Sequence, residues 1–462
     1  MCREQKTVKA GWACEGRLET ESSRRARSME LPKSPEESGA ADLLSRMLAR
    51  DNLNQAYKRV KRNKGAAGVD GMTVEDLGEY LKENKEQLLA SLENGNYQPQ
   101  PVRRVKIPKP DGGERLLGVP TVVDRFIQQA LLQVLQPIFE GVFSEHSFGF
   151  RPGRSAHQAM KQARTYYAEG YTHVVDIDLA KYFDTVNHDI LMSMVQKVVP
   201  DRRINGLIRR FLKSGVMEQG LTHKTEEGTP QGGNLSPLLS NLYLTAFDRL
   251  LESRGHRFVR YADDCNIYVK SRRAAERVMA SCTVFLEEKL KLRVNREKSQ
   301  VGSPLKLKFL GFSLYKVKGK TGIRVHEKSW QRLKRKLREL TSRKQPMAME
   351  YILLKLKRYM EGWLAYYSLA DMETRLRQTN EWLRRRIRQI YWKRWKRVRT
   401  RFRELKQLGI DERKAWEWSN SRLGYWRVAG SWILTRTLTN KYLASQGYMD
   451  ISDRYKVLHS TY

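Results

Sequence analysis

Tyr261-Ala262-Asp263-Asp264 lies between two apolar runs, Phe258-Val259 and Ile267-Tyr268-Val269, and reads as a hairpin turn carrying two adjacent carboxylates. Any fold built around it must set two like charges at the end of a buried strand pair, where unpaired charge is costly. A solvated Asp-Asp turn is the ordinary outcome for such a tetrad taken alone. A second acidic strand end argues otherwise: Thr172-His173-Val174-Val175-Asp176-Ile177-Asp178-Leu179 reads as a β-branched, buried strand that finishes in acids. Asp176 and Asp178 flank Ile177 and so face the same way, whereas Asp263 and Asp264 face one way only if the turn bends them. Hard divalent cations require oxygen ligands of this kind. Two Mg²⁺ ions about 3.5–4 Å apart can stabilise the attacking and the leaving oxygen of a phosphoryl transfer together.

The charge balance points to the same chemistry. Lys and Arg number 87 against 51 Asp and Glu, a formal +36 over 462 residues, and such an excess implies a polyanionic partner, with nucleic acid first. The length suits about three domains. No run of 18 apolar residues and no apolar signal core occur, so an intracellular, cytoplasmic location is expected and a membrane partner is not. Cys2, Cys14, Cys265 and Cys282 form no C-x-x-C pair, which argues against a zinc ribbon or a disulfide framework.

Residues 1–40 mix Arg, Ser, Glu and Pro without period and are expected to be a disordered tail. Helical spacing begins with Leu43, Leu44, Met47 and Leu48 and continues through Leu53, Ala56, Tyr57 and Val60 to a glycine-rich loop at 63–71. Val102–Ile107 and Arg115–Val119 flank Pro110-Asp111-Gly112-Gly113, a strong hairpin signal that brings Lys109 and Arg115 together near its tip. Gly228-Thr229-Pro230-Gln231-Gly232-Gly233-Asn234 leads into a helix for which Ser236 is the predicted N-cap and Pro237 the first residue. Past Leu310-Gly311-Phe312 come basic helices. Their apolar faces carry Trp330, Leu333 and Leu337, then Leu353, Leu356 and Met360, then Leu376, Leu383, Ile387 and Ile390. Their other faces hold Arg335, Arg384, Arg385, Arg388, Lys393, Lys396 and Arg397, a density of like charge that calls for nucleic acid as counter-charge.

The glycine-rich loop, the basic hairpin, Ser147-Phe148-Gly149-Phe150-Arg151-Pro152, the strand-end acids, the Pro-Gln-Gly loop, Tyr-Ala-Asp-Asp and Phe309-Leu310-Gly311-Phe312 follow one another in an order that resembles the reverse transcriptases of bacterial group II introns. The likeness is greatest to the class C proteins and spans about residues 41–462. It implies an α+β, right-hand polymerase: an N-terminal extension and fingers over 41–170, a palm with an antiparallel sheet over 171–320, a helical thumb and maturase region over 321–400, and a small basic DNA-binding region over 401–462. It implies Asp178, Asp263 and Asp264 as ligands of two Mg²⁺ ions. Asp178 is preferred to Asp176 because the family motif places a bulky aromatic five residues on, here Phe183, whose ring would exclude a 2′-hydroxyl.

By the same likeness Lys109 and Arg115 grip the triphosphate, Gln231 lines the sugar and template side, and Lys298 reaches the pyrophosphate side. Phe309, Leu310 and Gly311 form the primer grip. The implied activity is RNA-directed DNA synthesis joined to a maturase role in intron splicing and retrohoming, with intron RNA, target DNA, a primer and dNTPs as partners. The expected absence of a C-terminal nuclease domain implies a primer supplied from elsewhere, such as a nascent strand at a replication fork. Two rival readings are a domesticated polymerase of DNA repair or phage defence and a non-catalytic splicing cofactor. The intact aspartates, Phe183 and Gln231 argue against the cofactor, and the full C-terminal region argues against the domesticated enzyme.

Overall fold

The computed structural model describes residues 43–108, 113–218, 221–223, 227–228 and 232–461; the expected N-terminal tail, Lys109 and Gln231 lie outside them, as does the side chain of Arg115. The chain divides into two compact units. One runs to Leu310 and includes Lys316–Thr321; the other comprises Gly311–Tyr315 and Gly322–Tyr462.

In the first unit, apolar spacing builds α1 (Leu43–Leu48) and α2 (Arg50–Asn63), which bury Leu44, Met47, Leu53, Ala56 and Val60 as predicted. The glycine-rich loop that follows is held to its neighbours by cations: Arg125 and Arg103 each donate to a loop carbonyl, Ala66 O and Ala67 O, at 2.7 Å. After α3 (Leu77–Glu93), the predicted hairpin forms as β1 (Val102–Pro108) and β2 (Glu114–Val119), with Arg103 opposite Val119 and Pro108 opposite Glu114. Next come α4 (Val122–Glu140), capped by Thr121, and α5 (Ala156–Ala168), opened by a reciprocal Ser155–Gln158 capping box. They lead to β3 (His173–Ile177) and the short α6 (Tyr182–Thr185). Then follow α7 (His188–Val198), α8 (Arg202–Lys213), β4 (Val216–Glu218) and β5 (Leu221–His223). The first sheet has the order β2-β1-β4-β5, with β1 and β4 parallel.

Helix α9 (Ser236–Ser253) opens one residue earlier than predicted. Leu235, buried, already has helical dihedrals (φ −80°, ψ −25°), and its carbonyl accepts the Leu239 N–H at 3.0 Å. Ser236 is therefore inside the first turn instead of capping it. Beyond α9 lie β6 (Arg257–Tyr261), β7 (Asp264–Val269), α10 (Arg272–Val284) and β8 (Gln300–Gly302). The second sheet, β6-β7-β3-β8, is antiparallel throughout. Its Val175, Ile177, Phe258 and Ile267 join Leu131, Leu239, Tyr243 and Phe247 in the core of this unit. Burying each such side chain contributes roughly 1.5–3 kcal/mol.

In the second unit, β9 (Phe312–Val317) and β10 (Lys320–Val325) form a two-stranded sheet. Helices α11 (Glu327–Leu340), α12 (Met349–Tyr367) and α13 (Glu373–Arg394) bury the predicted apolar faces, and α14 (Val398–Gln407) and a series of short helices complete the unit to His459. The α+β class expected from the sequence is thus what the chain adopts. No helix among the described residues is long and apolar enough to cross a membrane. Cys265 and Cys282 are buried free thiols.

Candidate active site

Register brings the acids together. β3 pairs with β7 so that Asp176 faces Asn266 and Ile177 faces Cys265, which leaves Asp178 and Asp264 as the next residues at the same end of the same two strands. β6 closes on β7 with Tyr261 opposite Asp264, enclosing Ala262 and Asp263 in a two-residue turn. Ala262 takes a left-handed φ of +59° there, a conformation that tight hairpin turns demand. The Asp178 backbone is fixed by the segment before β8: its N–H donates to Ser299 Oγ at 3.0 Å, and its carbonyl accepts the Asn295 N–H at 2.8 Å. Asp176 accepts from Asn266 Nδ2 at 2.9 Å and from Gln300 Nε2 at 3.4 Å.

The field at this end of the sheet is strongly negative. Burial pushes the Asp264 carboxyl well above the usual carboxylate range, and Asp176, Asp263 and Asp178 push it further, with Lys308 as the opposing cation. Burial raises Asp176 to about 6, against the hydrogen bonds from Gln300 and Asn266, and Asp178 adds to the rise. Among the described residues no three His, Cys, Asp or Glu side chains stand together at metal-holding spacing. The acids share one sheet end and one field; their side chains do not form a closed cage.

Beneath the turn lies a network that sequence reading missed. Arg260, fully buried, donates from Nε and Nη2 to the Asp248 carboxylate at 2.7 and 2.5 Å, and from Nη1 to Asn241 Oδ1 at 3.0 Å and the Ala262 carbonyl at 2.9 Å. Asn241 in turn donates to the Gly149 carbonyl at 2.7 Å. A Cβ on Gly149 would stand 2.3 Å from the Ala262 nitrogen, so only glycine lets the Ser147–Arg151 strap lie directly on the turn. The strap is also stitched to β6, since Phe148 N–H donates to Arg260 O at 2.8 Å and Arg260 N–H to His146 O at 2.9 Å. The available signal was an arginine directly after the apolar pair Phe258-Val259 of β6.

Phe183, in α6, is half-buried and meets the Tyr182 ring edge-on at a centroid distance of 5.3 Å. The loop that carries Gln231 is anchored on either side of the undescribed residues. A Cβ on Gly228 would stand 2.9 Å from Phe183 O, and one on Gly232 would stand 2.4 Å from Gly118 O in β2. The loop base therefore touches both the Phe183 segment and the strand in which Arg115 faces Ile107. Lys298 is exposed on the turn that fixes Asp178. Phe309 is buried, and the chain turns there through two left-handed residues, Leu310 (φ +50°) and Gly311 (φ +86°).

The basic run of the second unit separates into two classes. Arg335, Lys396 and Arg397 are exposed and Lys393 is half-buried. Arg384 pairs with Asp450 at 3.1 Å, while Arg385 donates to the Trp426 carbonyl at 2.9 Å and stacks over its ring at 4.1 Å. Arg388 is 7% exposed and donates to Leu438 O at 2.9 Å and Asn440 Oδ1 at 3.1 Å. These three guanidiniums face protein partners because α13 is enclosed by the short helices that follow it.

Comparison with known proteins agrees with this architecture. The profile of the reverse transcriptase (RNA-dependent DNA polymerase) family matches residues 107–314, and that of the group II intron, maturase-specific domain matches residues 330–409. Protein YkfC of Escherichia coli K12 is 36% identical over 289 residues, which cover 54% of this chain and 76% of YkfC. The chain belongs to the group II intron type of reverse transcriptase. Group II intron-encoded protein LtrA of Lactococcus lactis subsp. cremoris is 38% identical over 206 residues, 44% of this chain and 34% of LtrA. The putative COX1/OXI3 intron 1 protein of Saccharomyces cerevisiae is 32% identical over 272 residues, 57% of this chain and 31% of that protein. The matches to this family thus span about three quarters of YkfC and about a third of the two intron proteins.

Proposed function

We propose that this chain is an RNA-directed DNA polymerase that also acts as maturase for a group II intron RNA, with Asp178, Asp263 and Asp264 holding two Mg²⁺ ions. The observation that carries the reading is the register that sets Asp178 and Asp264 at one end of the paired strands β3 and β7, where burial and three further carboxylates oppose ionisation of Asp264 against Lys308. A divalent cation is what such an array of hard oxygen donors at one sheet end favours. When bound, the ions would stabilise charge on the attacking 3′-oxygen and on the leaving pyrophosphate.

The chain's own residues supply the remaining steps. Phe183 excludes a 2′-hydroxyl by shape, selecting dNTPs. Lys109 and Arg115 neutralise the triphosphate, Gln231 lines the sugar and template side, and Lys298 stands on the pyrophosphate side. Phe309, Leu310 and Gly311 hold the primer end through packing and backbone contacts. Arg335, Lys393, Lys396 and Arg397 bind RNA phosphates. Arg384, Arg385 and Arg388 shape the helical scaffold that presents them, a narrower role than direct phosphate contact. Intron mobility proceeds by target-primed reverse transcription.

Extension of a DNA primer annealed to an RNA template, with dNTPs and Mg²⁺, tests the polymerase half; splicing of the parent intron at low Mg²⁺ with and without protein tests the maturase half. The expected results are Mg²⁺-dependent extension and faster splicing. A protein that binds RNA yet extends no primer would overturn the polymerase reading.

A further inference from the structure

At the end of the β6–β7 hairpin remote from the acids lies a second feature, a basic pocket. The pairs Arg257–Tyr268 and Tyr261–Asp264 mark the two ends of the ribbon, about 13 Å apart at strand rise. Around the first pair opens a cavity of about 490 Å³ whose lining includes His256, Arg257, Lys270 and Arg277 and no acidic residue.

Two of the cations are held by aromatic groups. Arg257 hydrogen-bonds Tyr171 and lies over the Tyr166 ring at 6.0 Å, and Lys270 lies over the Tyr171 ring at 5.6 Å. Nearby arginines of the same unit behave differently: Arg260, Arg272 and Arg296 each have a carboxylate at 2.5–2.9 Å. Among the described residues, Arg257, Lys270 and Arg277 have no carboxylate at ion-pair distance, and Glu169 is the weakest of the influences on Arg257. Three positive charges around one concavity repel each other unless an anion joins them. Aromatic bracing of Arg257 and Lys270 fixes their directions in advance, which lowers the entropic cost of binding that anion.

We propose that this pocket takes a backbone phosphate of the folded intron RNA, outside the strand being copied. The inference rests on the maturase reading above. The reacting primer end must meet Asp178, Asp263 and Asp264, so a phosphate seated at the opposite end of the ribbon lies outside the reacting centre. Phosphate is the anion that an RNA presents in every turn, and a cleft of fixed cations recognises it without reading bases.

The test uses the full chain carrying Arg257→Gln, Lys270→Gln and Arg277→Gln together. Affinity for the parent intron RNA is measured across a salt series, beside primer extension on a short unstructured RNA template. Each lost phosphate contact removes roughly 0.7–0.9 from the slope of log K against log salt. The expected result is a slope shallower by about 0.7–0.9 and intron affinity lower by roughly tenfold near physiological salt, with short-template extension unchanged.

Wild-type affinity and slope in the variant would overturn the pocket alone, whereas a wild-type protein without intron affinity would overturn the maturase reading with it. If the variant loses binding of inorganic phosphate, measured by calorimetry, while its intron affinity and salt slope stay at wild type, the pocket serves free phosphate and the RNA assignment fails. Arg277 is exposed, so Arg277→Glu carries the same test should the triple variant fold poorly.

Discussion

Arg260→Met is the most informative single change outside the acids. It removes the guanidinium that ties Asp248, Asn241 and the Ala262 carbonyl together, and it leaves the Asp248 carboxyl, 0% exposed, without its cation. Removing one partner of a buried pair costs about 3–5 kcal/mol, because the other charge is left uncompensated. That is a large share of the roughly 5–15 kcal/mol that holds a domain together. Burial already pushes the Asp248 carboxyl above its usual range against the pull of Arg260, so in the variant it takes up a proton.

Chemical unfolding should show that loss, and the Arg260→Met/Asp248→Leu double variant should recover part of it by removing the stranded carboxyl. Hydrogen exchange of the amides at 261–265 should rise in the single variant, and primer extension should fall more than RNA affinity. Stability within about 1 kcal/mol of wild type, with unchanged exchange at the turn, would refute the claim that this pair braces it.

Three further outcomes follow from named residues. Phe183→Val should admit ribonucleotides, read as a fall of roughly tenfold or more in the dNTP over rNTP ratio of kcat/KM; an unchanged ratio removes Phe183 from sugar selection. Lys396→Gln with Arg397→Gln should lower RNA affinity and reduce the salt slope by about 1–2, whereas an unaltered slope places phosphate contact elsewhere. Asp124, 1% exposed, is raised to about 6 by burial, against hydrogen bonds from Thr121, Tyr97 and Gln100. The folded state therefore holds an extra proton between about pH 4 and 6, and stability falls by about 3 kcal/mol as pH rises through that window. Asp124→Asn should flatten this dependence in denaturation curves taken from pH 4 to 7, and a profile identical to wild type would show that Asp124 titrates normally.

Much of the fold was readable because periodicity is local. The β1–β2 hairpin, the strand ending in Asp176 and Asp178, and the buried faces of α11, α12 and α13 each declare themselves within a few residues. The meeting of Asp178 with Asp264 also followed, once both were placed at strand ends. Partners far along the chain could not be read. Nothing near Arg260 names Asp248 or Gly149, because that network depends on how α9 and the Ser147–Arg151 strap pack on β6. Charge runs mislead for a related reason. Arg384, Arg385 and Arg388 read in sequence as one nucleic-acid-binding row, yet tertiary partners at Asp450, Trp426 and Leu438 claim all three. Ser236 has the composition of an N-cap, but the dihedrals of the buried Leu235 started α9 a residue earlier.

Divalent-ion binding at the acids is the most direct test. Mn²⁺ binding to the full chain with primer–template and a non-hydrolysable dNTP, measured by electron paramagnetic resonance, should show two bound ions in wild type. The Asp263→Asn/Asp264→Asn variant should lose them together with primer extension, while keeping its RNA affinity. Two ions still bound in that variant, or extension near the wild-type rate, would contradict the assignment of the acids.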